Sequence, residues 1–149
     1  MDTTFSHIKA VFCDIDGTLL TSDGQITEGT KEMILNLEKK GIPFILTSAR
    51  SPEGVRVIKR MLGNHAPIIA FCGGLILDDD GNEIYSKMIP LKRALELKAM
   101  LDKDFPAVAC NTFGGEKWIV DDRDDWREQR EEKIVGFPAE IGSIKDTFE

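Results

Sequence analysis

Apolar residues in the first half of the chain fall in short unbroken runs separated by stretches at helical spacing. Ile8 to Cys13 is the first run and has the length of a buried strand. Leu19 and Leu20 form a brief extended piece that turns at Thr21-Ser22-Asp23-Gly24. Thr27 then stands as N-cap to a helix with Met33, Ile34 and Leu37 on its apolar face, closed by Lys39-Lys40-Gly41. Ile42 to Leu46 is a second strand-length run, after which Ser51 and Pro52 open another helix that Gly63-Asn64 ends. Pro67 to Phe71 is the third run. This order of strand, helix, strand, helix, strand predicts a parallel sheet with crossover helices, with its site at the carboxyl ends of the strands.

The pattern changes after Cys72. Leu75-Ile76-Leu77 and Glu83-Ile84-Tyr85, joined by Asp78-Asp79-Asp80-Gly81-Asn82, predict a hairpin. Pro90 opens a helix with Leu91, Ala94, Leu95, Leu97 and Leu101. Val108 to Cys110 and Lys117 to Val120 predict strands on either side of Gly114-Gly115, Asp124 to Lys133 predicts a charged helix, and Ile134 to Glu149 shows little pattern. The implied division is residues 1–86 and 87–149.

A length of 149 residues with 42% hydrophobic content suits a chain with a sizeable core. The net charge of −7, with no basic block, argues against nucleic acid as a partner but leaves room for a small phosphorylated ligand. Cys13, Cys72 and Cys110 lack metal or redox spacing and read as reduced thiols. MDTTFSHIKA has no signal-peptide character and no run approaches bilayer length, so a cytoplasmic protein without a membrane partner is expected.

The candidate chemistry lies in VFCDIDGTLL, where an apolar strand ends in Asp14 and a second acid, Asp16, follows in the loop above it. A carboxylate pair so placed can divide labour, one attacking an electrophile while the other donates and accepts a proton. Its hard oxygens also suit Mg²⁺. A bare D-x-D would read as a polar turn; the preceding strand and the following Gly17-Thr18 favour chemistry. The second run delivers Thr47-Ser48 to the same sheet edge, where a hydroxyl can donate to a phosphoryl oxygen. The amides of Ala49 and Arg50 could extend an anion cradle. The structural alternative for Ser48 is helix capping.

VFCDIDGTLL resembles the first motif of the haloacid dehalogenase superfamily of phosphotransfer enzymes. FILTSAR resembles the Thr-Gly-Arg form of its Cof-like, type IIB branch, and AFCGGLILDDDGNEIY resembles a third landmark in which Cys72 and Gly74 stand where Asn and Ala are usual. The resemblance implies a Rossmann-like, three-layer α/β core with part of a second α/β cap. It implies that Asp14 becomes phosphorylated, that Asp16 protonates the leaving oxygen and activates water, and that Asp14 with the Asp16 carbonyl holds Mg²⁺. The implied phosphate-binding set is Ser48 first, Thr47 second, with Ala49, Arg50 and Gly17. The expected activity is a Mg²⁺-dependent hydrolysis of a small phosphomonoester such as a sugar phosphate.

The family's third motif, a Lys, and fourth, an acidic pair, lie beyond the cap in Cof-like proteins, and the chain is expected to stop within it. Little or no activity is therefore expected from this polypeptide alone. Two alternatives accompany this reading. One is a non-catalytic remnant that self-associates as a homo-oligomer through uncovered apolar surface. The other is a compact phosphatase in which Asp121 and Asp122 of WIVDD form the fourth motif and Lys87 or Lys103 the third. His7 and His65 flank no acid or cysteine cluster, and Asp78 to Gly81 lacks the ligand spacing of an EF-hand.

Overall fold

The computed structural model describes residues 7–148, which form two compact units dividing between Ser86 and Lys87. In the first, β1 (Val11–Asp14), α1 (Glu28–Lys39), β2 (Phe44–Thr47), α2 (Pro52–Leu62) and β3 (Ile68–Ala70) alternate, followed by the hairpin β4 (Leu75–Leu77) and β5 (Glu83–Ser86). The sheet runs in the order β1-β2-β3-β4-β5, the first three strands parallel and the last two antiparallel.

Local signals set these boundaries. Thr27 caps α1 by accepting from the Thr30 amide at 3.2 Å, and Ser51 caps α2 by accepting from the Gly54 amide at 3.3 Å, with Pro52 in the first turn. Gly63 ends α2 at φ 70°, the left-handed conformation that favours glycine. The buried Asn64 amide then donates to the Phe44 carbonyl at 2.6 Å and ties the next turn to β2.

Strand alternation splits the sheet into two unlike faces. Leu46 and Ile68 point to the side covered by Ile34 of α1 and by Val55, Ile58 and Leu62 of α2, all at most 4% exposed. Both helices cover that one face, as right-handed crossovers between strands added in one direction require. The opposite face carries the register pairs Phe12–Ile45 and Ile69–Ile76, and Phe12 is 61% exposed. Among the described residues of this unit, the Rossmann-like arrangement therefore has a single helical layer on its sheet.

The second unit contains α3 (Leu91–Asp104), β6 (Thr112–Gly114), β7 (Lys117–Val120), α4 (Trp126–Val135), β8 (Glu140–Ile141) and α5 (Ile144–Phe148), with sheet order β6-β7-β8. Trp118 anchors one core, stacked on Phe113 at 5.4 Å between ring centroids and edge-on to Phe137 at 5.3 Å. Asp125 caps α4 through the Arg127 amide at 2.8 Å, so this helix starts two residues later than the charge pattern predicts.

The expected strand at Val108 to Cys110 is not formed; β6 lies further on, at Thr112–Gly114. The hairpin is closed by Gly115, at φ 58°, and its register pairs Gly114 with Lys117 and Phe113 with Trp118. That register spends the pairing on residues next to the turn, while Val108 is exposed and its amide closes a turn onto Phe105 at 3.0 Å. Gly114 also admits the ring of Phe148, which any Cβ there would overlap.

Candidate active site

β1 brings the chain to Asp14, whose Cα pairs in parallel register with Thr47 at the end of β2. Past Asp14 the backbone makes one wide turn over Ile15–Leu19, closed by the Leu20 amide on the Ile15 carbonyl at 3.1 Å. Ile15 is fully buried and pins this turn to the core, leaving Asp16, Gly17 and Thr18 exposed around it. Gly17 has φ 77°, so the turn needs glycine there. The Thr18 hydroxyl makes a long contact of 3.4 Å with Asp14 Oδ2. The Cys13 thiol donates to the Asp14 carbonyl at 3.1 Å and is pushed up in pKa, first by burial and then by the Asp14 charge.

The second loop begins at Ser48, which is 7% exposed and extends the sheet by donating its amide to the Ile69 carbonyl at 3.0 Å. Its Oγ accepts from the Arg50 amide at 3.2 Å, a local Ser turn that leaves the hydroxyl proton able to donate. The helix cap is Ser51, not Ser48. The Arg50 amide, expected in an anion cradle, is thus directed to Ser48.

Sequence reasoning missed the Arg50 side chain. Its guanidinium grips the Asp16 carboxylate as a fork, Nε to Oδ2 at 2.9 Å and Nη2 to Oδ1 at 2.6 Å. The signal was the Arg at the close of FILTSAR, but the two residues lie 34 positions apart and only the sheet brings their loops together. The third loop joins them: Phe71 donates its amide to the Arg50 carbonyl at 3.0 Å, and Cys72 to the Ser48 carbonyl at 2.9 Å. Phe71 and Cys72 both have positive φ, 50° and 54°. Each such residue costs roughly 1–3 kcal/mol, so these hydrogen bonds hold a loop that would otherwise relax.

The Asp14 carboxylate and Asp16 carbonyl are hard oxygens of the kind Mg²⁺ takes, and Mg²⁺ tolerates a small protein donor set because it keeps several waters. Among the described residues there is no cluster of three or more His, Cys, Asp or Glu side chains fit to hold a metal. Asp121 and Asp122 belong to the second unit, as do Lys87 and Lys103. Asp121 accepts from Lys98 at 2.9 Å, and Asp122 accepts from the Asp124 amide at 2.8 Å. The Asp78 loop is a closed turn in which Asn82 donates twice to Asp78, holding that carboxyl below its ordinary pKa. Lys59 occupies Asp79 at 2.5 Å. All three cysteines are free thiols, and no described helix is long and apolar enough to cross a membrane.

Residues 11–147 match the family of haloacid dehalogenase-like hydrolases. A Haemophilus influenzae protein named "Putative phosphatase" is 36% identical over 124 residues, covering 77% of this chain and 47% of that protein. Among solved structures, a haloacid dehalogenase-like hydrolase from Bacteroides thetaiotaomicron superposes with a TM-score of 0.83 at 19% identity, over 95% of this chain and 54% of its own. A subclass IIB sugar phosphatase of the same superfamily superposes with a TM-score of 0.71 at 20% identity, over 93% of this chain and 54% of its own. The chain spans less than half the length of the relatives it matches first in sequence.

Proposed function

As the chain belongs to the haloacid dehalogenase-like hydrolases, we propose that its first unit carries the phosphoryl-transfer half of a phosphomonoester hydrolase acting through an aspartyl phosphate. The observation that supports this best is the meeting of Asp14, Asp16, Ser48 and Arg50 at one edge of a parallel sheet, through the Asp14–Thr47 register and the Arg50–Asp16 fork.

In this reading Asp14 attacks phosphorus and the bond to the ester oxygen breaks, while Asp16 gives that oxygen its proton. Asp16 then takes a proton from water, which attacks the same phosphorus and releases inorganic phosphate from Asp14. Ser48, with Thr47 as second choice, donates to a phosphoryl oxygen, and the Gly17 and Ala49 amides line the same edge. Mg²⁺, held by the Asp14 carboxylate and the Asp16 carbonyl, supplies charge neutralisation for the phosphoryl group when bound.

A small phosphorylated metabolite is the proposed substrate class, with sugar phosphates favoured by the subclass IIB neighbour. The second unit is proposed as part of a cap. With charge neutralisation resting on Ser48 and on the ion held by Asp14 and Asp16 of the first unit in this reading, turnover by this polypeptide alone is expected to be slow.

Release of phosphate from p-nitrophenyl phosphate, with and without Mg²⁺, tests the reading. Asp14→Asn should reduce any Mg²⁺-dependent release to background, and unchanged turnover in that variant would falsify it. Phe12, 61% exposed on the sheet face opposite the helices, favours a second reading, self-association of the chain. Sedimentation as a monomer at high concentration would remove it.

A further inference from the structure

Arg50 touches all three strand-end loops of the first unit. Its side chain forks onto Asp16 of the first loop at 2.9 and 2.6 Å, its amide meets Ser48 Oγ of the second at 3.2 Å, and its carbonyl receives the Phe71 amide of the third at 3.0 Å. The side chain of Arg50 is 13% exposed and that of Asp16 is 58% exposed. The fork holds both carboxylate oxygens of Asp16 from a largely buried guanidinium, while the Asp16 side chain stays open to solvent.

From this arrangement we infer that Arg50 is a positioning residue for Asp16, fixing the plane of its carboxylate for proton transfer and coupling that plane to the loop at Phe71 and Cys72. The inference rests on the phosphoryl-transfer reading for its chemical consequence and on the hydrogen bonds alone for its mechanical one. A carboxylate on a single flexible side chain rotates freely; the two-point fork removes that rotation while Asp16 is ionised, and when Asp16 carries the proton one of the two bonds gives way and the other keeps the plane. Lysine would supply the charge without the plane, so Arg50→Lys is not a conservative change here. The loop at Phe71 and Cys72, at positive φ in two successive non-glycine residues, needs its hydrogen bonds to Arg50 and Ser48 to keep its shape. Rotation of Asp16 and relaxation of that loop are thus two ends of one linkage.

The chemical arm compares an alkyl phosphate with p-nitrophenyl phosphate. An alkoxide leaves only with help from an acid, whereas p-nitrophenolate leaves largely unaided. A residue that acts through Asp16 matters mainly for the alkyl ester, so Arg50→Lys and Arg50→Met should lower its kcat at least tenfold more than that of the aryl ester. Equal losses for the two substrates would mean a general structural role and overturn the inference.

Absence of Mg²⁺-dependent release from either substrate by the unaltered chain would instead sink the phosphatase reading. The mechanical arm then still decides. Amide hydrogen exchange at Phe71 should quicken severalfold in Asp16→Ala, with Ile76 of β4 as an unaffected control. Unchanged protection at Phe71 overturns the linkage whatever the activity.

Discussion

Glu128 offers a sharp test of the second unit because it is a buried carboxylate with half of its hydrogen-bonding capacity unmet. It is 2% exposed; Asn111 Nδ2 donates to its Oε1 at 3.2 Å, and Oε2 has no partner. Asn111 is in turn oriented by the Trp118 indole, which donates to its Oδ1 at 2.7 Å. Burial pushes the Glu128 carboxyl up from its ordinary 4.5; the Asn111 bond opposes this, Asp125 and Glu131 add to the rise, and Arg127 counters it.

For an acid whose folded pKa is raised, the folded state holds the proton more tightly than the unfolded chain. The associated stability is complete below about 4.5 and is lost as pH climbs through the raised value. Glu128→Gln substitutes a neutral isostere. Gln leaves a polar atom at the unpartnered position but never ionises, so between pH 4 and pH 7 the variant should gain stability relative to the unaltered chain, by roughly 1.4 kcal/mol for each unit that burial raises the Glu128 pKa. Urea unfolding followed by Trp118 fluorescence in a Trp126→Phe background measures this directly, since Trp126 is the other tryptophan and is 68% exposed. A loss of stability at pH 7 in Glu128→Gln, or an identical pH slope in both proteins, would refute the reasoning.

Gly114→Ala should destabilise the second unit by about 1–3 kcal/mol, because its new methyl overlaps the Phe148 ring. Adding Phe148→Ala should recover part of that loss in the same urea assay, and additive losses would contradict the packing. Leu46→Ala, at a site 1% exposed between β1 and β3, should cost the first unit about 2–5 kcal/mol, read as a lower urea midpoint.

The β1-α1-β2-α2-β3 order was legible in the sequence because each boundary carries its own chemistry: Thr27 and Ser51-Pro52 at helix starts, Gly63 at a helix end. The positions of Asp14 and Ser48 at strand ends follow from the same local signals. Val108 to Cys110 misled because three small apolar residues read as a strand, whereas pairing was decided by the Gly115 turn and by Phe113 meeting Trp118. β8 has two residues and α5 five, too few to show a period, and both hold their place through tertiary contacts such as Ile144 in the core. The Arg50–Asp16 fork could not be read from spacing. It depends on two loops that only the parallel pairing of β1 and β2 brings side by side.

The central claim, that Asp14 is the phosphoryl acceptor, is tested most directly by ¹⁹F NMR of the chain with beryllium fluoride, a phosphoryl mimic that binds carboxylate nucleophiles. The account predicts Mg²⁺-dependent bound fluoride signals that vanish in Asp14→Asn and persist in Asp121→Asn. Bound signals surviving in Asp14→Asn, or none in the unaltered chain with Mg²⁺, would contradict it.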